Sequence, residues 1–541
     1  MKLIHFATGF LLGAVLSIPL IFLSYLGNYF FAIPFAPFDL FDYLARILPA
    51  RISSFFIDLM IAVIRGLHLG PTAGTAKFAE QIVSLILFIL IAGILGIILT
   101  AFFSKKDWNK SISTGFLAGV LWFIAFLFIE SGLGNLQQKP TTKILWLFVI
   151  FALWGFVLGL SLLQIFGTGR AETAGFSRVR RTFLYLGGTS IVAIIIGAFA
   201  GVNVLLSRRK AESVPEEVST LIDPSQTSGP AASPPLKVLE QRIPPAPGTR
   251  LEVTTNRDFY RVDINTGLPP VDENTWRLKI DGLVDTPLNL TMAEVKSMPA
   301  IAQYITLSCI SNPVGGDLIS TAMVRGVPLK EMLKRAGVKP EANWAFIESV
   351  DGFYESVSPQ AIEDERTILV FEMNGKSLPP AHGFPLRIYI PDLYGMKQPK
   401  WIIHIRAIAK PDSAHFGFWE DNGWSKQAVA RTTSVIDTVD EKTAEPGADL
   451  IPIGGIAWAG GRGISKVEIQ IDDGPWVQAE LRDPPLSPLT WVQWRYNYPP
   501  KKGKHIARVR AYDGDGKLQI LKSESSFPDG ASGIDTYSFQ I

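Results

Sequence analysis

The stretch Thr306-Leu-Ser-Cys309-Ile-Ser-Asn312-Pro-Val-Gly315-Gly316 holds the single cysteine of a 541-residue chain. One thiol cannot form an intramolecular disulfide, and no second cysteine is present to build a zinc or iron–sulfur site. Any chemistry at Cys309 is therefore that of a lone thiolate ligand or a lone nucleophile. The plainer alternative is a buried small hydrophobe, the usual state of a free cysteine. Histidine adds little in the N-terminal half, where His5 and His68 are the only two and lie near chain or loop ends. A bis-histidine haem needs two facing histidines at a common depth, and without Cys-x-x-Cys-His there is no c-type haem attachment. No haem or iron–sulfur motif is read.

The elements that must position Cys309 begin with the bulk properties. A chain of this length should divide into several domains. The net charge of +2 gives no polyelectrolyte character and no argument for nucleic acid. A charged fraction of 18% with a positive mean hydropathy of +0.24 points to membrane segments. Five apolar runs, near 6–30, 78–103, 114–130, 143–166 and 182–206, are long enough to span a bilayer, so 1–207 reads as a membrane domain in contact with lipid. Between the first two, Phe55-Phe-Ile-Asp-Leu-Met-Ile-Ala-Val-Ile64 is short and carries Asp58. It reads as an interfacial or re-entrant helix, with a sixth span as the alternative.

Lys105, Lys106 and Lys110, then Arg170, Arg178, Arg180 and Arg181, place two loops on the cytoplasmic side. The soluble part then lies outside the cytoplasmic membrane, although Arg208-Arg209-Lys210 opposes that orientation. The fifth run is entered by Ser177-Arg-Val-Arg180-Arg181-Thr-Phe183-Leu184, which resembles a twin-arginine export signal; an ordinary positive-inside anchor is the other reading. Residues 208–250, rich in Ser, Thr and Pro, read as a semi-stiff tether.

From 251 to 425, strand-like runs alternate with short helices. Trp276–Ile280, Ala345–Val350, Thr367–Phe371 and Leu386–Ile390 are the strands, separated by turn signals such as Asp351-Gly352 and Asn374-Gly375. Leu329–Ala336 is a short amphipathic helix closed by Gly337. The class is α+β. Beyond about 430, short strands recur with Asp473-Gly474 and Asp513-Gly514 turns, the pattern of a β-sandwich over 430–541.

Seven motifs occur in order: Phe259-Tyr-Arg-Val-Asp263, the Cys309 stretch, Arg325-Gly-Val-Pro-Leu329, Asp351-Gly-Phe-Tyr354, Glu372-Met-Asn-Gly375, His382-Gly-Phe-Pro-Leu-Arg387 and Gly395-Met-Lys-Gln-Pro-Lys400-Trp401. Together they resemble the sulfite oxidase family of molybdopterin enzymes over roughly 251–541. The resemblance implies a molybdenum–molybdopterin cofactor, one metal per chain, with Cys309 as the thiolate ligand and so a catalytic residue. A soft thiolate suits a metal already held by dithiolene sulfurs. It implies that His382 and Arg387 contact the pterin and its phosphate, and an arginine fork suits phosphate. Asp351 falls at an acidic cofactor contact, and Gln398, Pro399 and Lys400 at the segment that closes over the cofactor's far end. Phe259, Tyr260, Arg261, Val262 and Asp263 fall on the strand bordering the metal, with Arg261 at the anion-binding, catalytic position. Each has a plainer reading as a loop histidine, a solvated strand charge or a turn. A buried phosphate, however, needs several cations to converge.

The C-terminal pattern Gly455-Ile-Ala-Trp458-Ala-Gly-Gly-Arg462 resembles the family's immunoglobulin-like domain, which implies homodimers through 430–541. Three departures mark the substrate side. Sulfite oxidases follow the cysteine with an arginine pair, where this chain has Ile310-Ser-Asn-Pro-Val-Gly-Gly316. No tyrosine occurs in His415–Trp424, and Val324 replaces a frequent tryptophan. The expected activity is two-electron oxygen-atom transfer on a small S- or N-oxide or sulfite-like substrate, with electrons exchanged with a separate carrier, a quinone system or a cytochrome. Reduction of protein or methionine sulfoxide, and a non-enzymatic cofactor-binding surface module, are the alternatives.

Overall fold

The structure, a computed structural model, describes residues 2–31, 33–102, 108–134, 140–166, 224–413, 415–440, 450–499 and 501–541. The expected span at 182–206, the arginine pair at 180–181 and the tether up to 223 lie outside the described residues. The chain divides into two compact units. One comprises Met1–Leu48, Lys77–Pro215 and Asp263–Pro270; the other comprises Pro49–Ala76, Glu216–Val262 and Val271–Ile541.

The N-terminal helices are α1 (Lys2–Phe31), α2 (Ala36–Ile47), α3 (Ala50–Gly66), α4 (Thr72–Phe102), α5 (Trp108–Gly132) and α6 (Pro140–Phe166). Among the described residues four helices are long and apolar enough to cross a bilayer: His5–Phe31, Thr72–Ala101, Ile112–Gly132 and Pro140–Leu163. They coincide with the first four apolar runs. Helices α5 and α6 pack closely because a side chain at Gly115 or Gly155 would strike the backbone of the facing helix. Trp122, Phe126, Phe151 and Trp154 fill the space around that seam.

The stretch Phe55–Ile64, expected as an interfacial or re-entrant helix or a sixth span, lies within the single helix α3, which is not among the four candidate spans; a separate helix, α2, precedes it. The short segment Asp263–Pro270 belongs to the first unit. Asp42 on α2 accepts from the Thr266 amide at 2.9 Å and its hydroxyl at 2.6 Å. Burial pushes the Asp42 carboxyl up to about 6, with the Thr266 hydrogen bonds opposing.

In the second unit, β1 (Leu278–Gly282), β2 (Leu288–Leu290), β3 (Ile301–Ser308), β4 (Ile319–Pro328), β5 (Trp344–Ser349), β6 (Tyr354–Val357), β7 (Ile368–Met373), β8 (Lys376–Ser377), β9 (Arg387–Tyr389) and β10 (Ile402–Ile408) form two sheets. The first has the order β2-β1-β10-β5-β6, with β1 and β10 parallel. The second runs β3-β4-β7-β8 with β9 paired to β7. Leu278, Ile280, Val327, Ile347, Phe371 and Ile405 belong to one buried apolar cluster. Helix Leu329–Ala336 forms where its periodicity predicts. Gly337 closes it at φ +66, a left-handed conformation that a Cβ would strain.

The C-terminal strands are β11 (Thr433–Val439), β12 (Ile451–Trp458), β13 (Ile464–Ile471), β14 (Val477–Gln478), β15 (Glu480–Leu481), β16 (Val492–Tyr498), β17 (Lys504–Asp513) and β18 (Asp535–Gln540). They form two four-stranded antiparallel sheets, β11-β12-β16-β15 and β14-β13-β17-β18. Ile451, Ile453, Val467, Trp494 and Val509 make the shared core, consistent with an immunoglobulin-like sandwich.

Residues 224–250, expected within the tether, instead lie on this unit. The buried Arg242 guanidinium grips Glu252 at 2.5 and 2.9 Å and donates to the Pro484 carbonyl at 3.1 Å. Composition alone could not fold this stretch, but a bidentate ion pair and buried Leu239 and Ala246 hold it.

Candidate active site

Cys309 sits at the end of β3, where its amide donates to the Leu318 carbonyl at 2.9 Å. The side chain is buried, with Sγ 3.0 Å from the Ser311 hydroxyl. Burial pushes the thiol up, while hydrogen bonds from Ser311 and the Ile310 amide, and then the Lys400 charge, act in the other direction. Phe259 and Tyr260 share its apolar cluster with Ile305, Leu307 and Leu318. The Tyr260 amide donates to the Ser320 hydroxyl at 3.1 Å, which anchors this segment beside β4. The Tyr260 phenol stays protonated, held well above its usual range by burial and then by Cys309. A side chain at Gly395 would meet the Tyr260 hydroxyl, so glycine is required where the chain passes it.

The cations converge behind this pair. His382 is buried; Nε2 donates to the Asn256 carbonyl at 2.8 Å, and the ring meets Phe259 edge-on at 5.4 Å. Burial, and then the charges of Lys400, Arg387 and Arg261, push the His382 imidazole down to about 3. Arg387, at the start of β9, is buried and donates to the His382 carbonyl at 3.3 Å. Among the described residues no carboxylate pairs with it, and burial pulls it down to about 10. Lys400 Nζ donates to the carbonyls of Val262 at 3.1 Å and Ala381 at 3.4 Å and lies 4.4 Å from the Trp401 ring centre. Gly383, at φ +108, lets the loop pass between Arg387 and Lys400, where a Cβ would lie 3.0 Å from each Cβ.

The remaining expected residues take other positions. Gln398 is spent on the backbone: its amide donates to Ile390 and Leu393 at 3.0 Å, which braces the segment before Lys400. The Pro399 carbonyl accepts from Ile388 at 3.1 Å. Asp351 is buried in the β5–β6 turn, where it accepts from the Phe353 amide at 3.1 Å. The neighbouring Val350 amide reaches the Trp401 carbonyl at 3.0 Å. Val262 is exposed. Asp263 lies in the other unit, 3.1 Å from Lys77 Nζ.

Sequence reasoning missed two sets of supporting residues. Asn374, read as a turn and as part of the Glu372–Gly375 motif but given no role, donates to Asn256 Oδ1 and the Thr254 carbonyl at 2.9 Å and so supports the residue whose carbonyl holds His382. Its φ of +50 is the available signal, since Asn-Gly favours that conformation. Lys397 is buried between Glu355 and Glu420, both fully buried. Burial, with Glu420 beside it, raises Glu355 well above the usual carboxylate range, although Lys397 opposes this. No local pattern joins residues 355, 397 and 420.

Residues 265–416 match a family described as an oxidoreductase molybdopterin binding domain. An uncharacterized oxidoreductase of Bacillus subtilis, YuiH, is 32% identical over 163 residues, 30% of this chain and 79% of its own. Sulfite oxidase of Gallus gallus is 27% identical over 343 residues, 53% of this chain and 70% of its own. Among solved structures, the sulfane dehydrogenase SoxCD from Paracoccus pantotrophus superposes with a TM-score of 0.47 at 22% identity, covering 54% of this chain and 82% of that one. On the strength of the sequence relatives, the chain belongs to the sulfite oxidase family of molybdopterin-dependent oxidoreductases.

Proposed function

We propose that this chain is a membrane-anchored molybdenum-cofactor oxidoreductase acting on a small S- or N-oxide or sulfite-like substrate. One observation carries the reading. Arg387 is a buried guanidinium without a carboxylate partner among the described residues, and it lies beside a histidine surrounded by positive charge. A cation so placed is costly unless an anion completes it. A pterin phosphate is such an anion, and the donor set fits it.

Bound there, the cofactor supplies two-electron chemistry and oxygen-atom exchange with the substrate. Cys309 Sγ is the protein's ligand to the metal. Arg387, His382 and Lys400 hold the anionic end, Gln398 and Pro399 position the closing segment, and Asp351 takes the acidic contact from its turn. Phe259 and Tyr260 form the apolar wall that excludes water, and the protonated Tyr260 hydroxyl can donate a hydrogen bond. Arg261 orients an anionic or polar S-oxide. Electrons pass to or from a separate carrier, a quinone system or a cytochrome. The sandwich over 430–541 mediates a homodimer, and the catalytic part faces the extracytoplasmic side.

Within this reading, reduction of sulfoxides is favoured over sulfite oxidation by the loop Ile310–Gly316, which lacks arginine, and by His415–Trp424, which lacks tyrosine. Steady-state turnover of purified, molybdenum-loaded protein on sulfite, methionine sulfoxide and an amine N-oxide tests it. Turnover of the S-oxide is expected; sulfite oxidation alone would reverse the direction, and no turnover with no bound molybdenum would end the enzymatic reading.

A further inference from the structure

In chain order helix α3 falls between the candidate spans His5–Phe31 and Thr72–Ala101, yet it belongs to the unit that holds Cys309. Its two faces differ. Ser54, Ile61 and Ile64 are buried, spaced as one helical face. Ile61 joins the cluster that contains Cys309, Phe259 and Tyr260, with Ile57 packed against it. Polar bonds fix the same face. Asp58 accepts from the Ser526 hydroxyl at 3.1 Å. At the helix end the Arg65 guanidinium donates to the carbonyls of Val314 at 3.2 Å and Gly315 at 3.0 Å. Just beyond, the Thr72 amide donates to Asp317 at 2.8 Å. These bonds grip the loop that follows Cys309.

The opposite face carries Ile52, Phe55, Phe56, Leu59 and Val63, which are 44, 61, 57, 48 and 45% exposed. For two phenylalanines and three aliphatic residues on one stripe, this exposure needs an occupant. No acidic residue interrupts the stripe, and Arg51 stands at its start. Only Leu67–Pro71 separate α3 from α4, a reach of roughly 17 Å even when fully extended. Exposed apolar residues continue past the helix end at Leu67 and Leu69. A helix tethered that closely to a candidate span stays within reach of the bilayer surface, and a basic amphipathic helix is suited to lie there.

We propose that α3 is a two-faced membrane dock: its outer stripe lies in the lipid interface while its inner face clamps the 312–317 loop, so that the loop after Cys309 is held at the bilayer surface. The occupant is phospholipid.

The test uses the full chain in phospholipid nanodiscs. A Cys309→Ser background carrying Leu59→Cys, or Phe55→Cys as a second outer-face position, is labelled with an environment-sensitive fluorophore. Lys330→Cys, on the exposed face of Leu329–Ala336, is the control. Doxyl-labelled lipid should at least halve emission from 59 and 55 and leave 330 unchanged. Quenching equal to that of the control, or oxidative cross-linking of two chains through position 59, overturns the lipid assignment. For the inner face, Arg65→Ala should speed amide hydrogen exchange of Asn312–Asp317 several-fold in otherwise native protein; unchanged exchange overturns the clamp.

Discussion

His382 sets a measurable pH dependence. It is 4% exposed, and burial together with Lys400, Arg387 and Arg261 lowers it from 6.5 to about 3. The folded protein therefore keeps the ring neutral, while the unfolded chain protonates it below about 6.5. Above that pH the residue has no effect on the pH dependence. As pH falls from 6.5 toward 3, the unfolded state takes up a proton that the folded state refuses, and stability drops. The slope is about 1.4 kcal/mol per pH unit, so the loss is about 2 kcal/mol at about pH 5. His382→Gln removes the titration and keeps an N–H donor for the Asn256 carbonyl. Urea unfolding of the cofactor-free full chain in detergent, followed by tryptophan fluorescence at about pH 7 and about pH 5, reads the effect. The wild-type protein should lose about 2 kcal/mol more than the variant between those conditions. Equal losses would refute the assignment of a neutral, cation-crowded histidine. Loading with an anionic cofactor should make the wild-type slope shallower, because added negative charge favours the protonated ring.

Other outcomes follow from the same contacts. Lys397→Met strands two buried carboxylates and should cost about 3–5 kcal/mol, whereas Glu355→Gln leaves the Lys397–Glu420 pair and should cost much less; thermal midpoints of the two variants check the order. Arg387→Met removes a buried charge without a carboxylate partner, so the cofactor-free protein should be no less stable. Cofactor retention should nevertheless fall by about tenfold or more, since a charge-assisted bond contributes about 1.5–3 kcal/mol. Gly383→Ala places a Cβ at φ +108 against Arg387 and Lys400 and should lower the thermal midpoint by the equivalent of about 1–3 kcal/mol, with weaker cofactor retention.

Local signals made much of this architecture legible. The four described apolar helices announce themselves by length, and helix Leu329–Ala336 by its periodicity and its closing glycine. Asp473-Gly474 turns the chain after β13, with the Gly474 amide on the Ile471 carbonyl. The residues that converge in the candidate site, Phe259, Tyr260, Cys309, His382, Arg387 and Lys400, all lie in motifs read from the sequence. What stayed hidden depends on residues far apart in the chain. Asp263 looks like a site carboxylate until Lys77, from α4, is found beside it. Residues 224–250 look like a tether until Arg242 meets Glu252 and Pro484. Helix α3 looks like a membrane-surface element alone until Arg65 is placed on the carbonyls of Val314 and Gly315. In each case the deciding contact is electrostatic and long-range, and composition records only one of its partners.

The proposed ligation of molybdenum by Cys309 has a direct readout. X-ray absorption at the molybdenum edge, on full-length protein purified with its cofactor, counts the sulfurs around the metal. Cys309→Ser should retain molybdenum and lose one sulfur from the metal's coordination shell, together with turnover. An unchanged sulfur count in the variant, or wild-type protein that carries no molybdenum, would contradict the account.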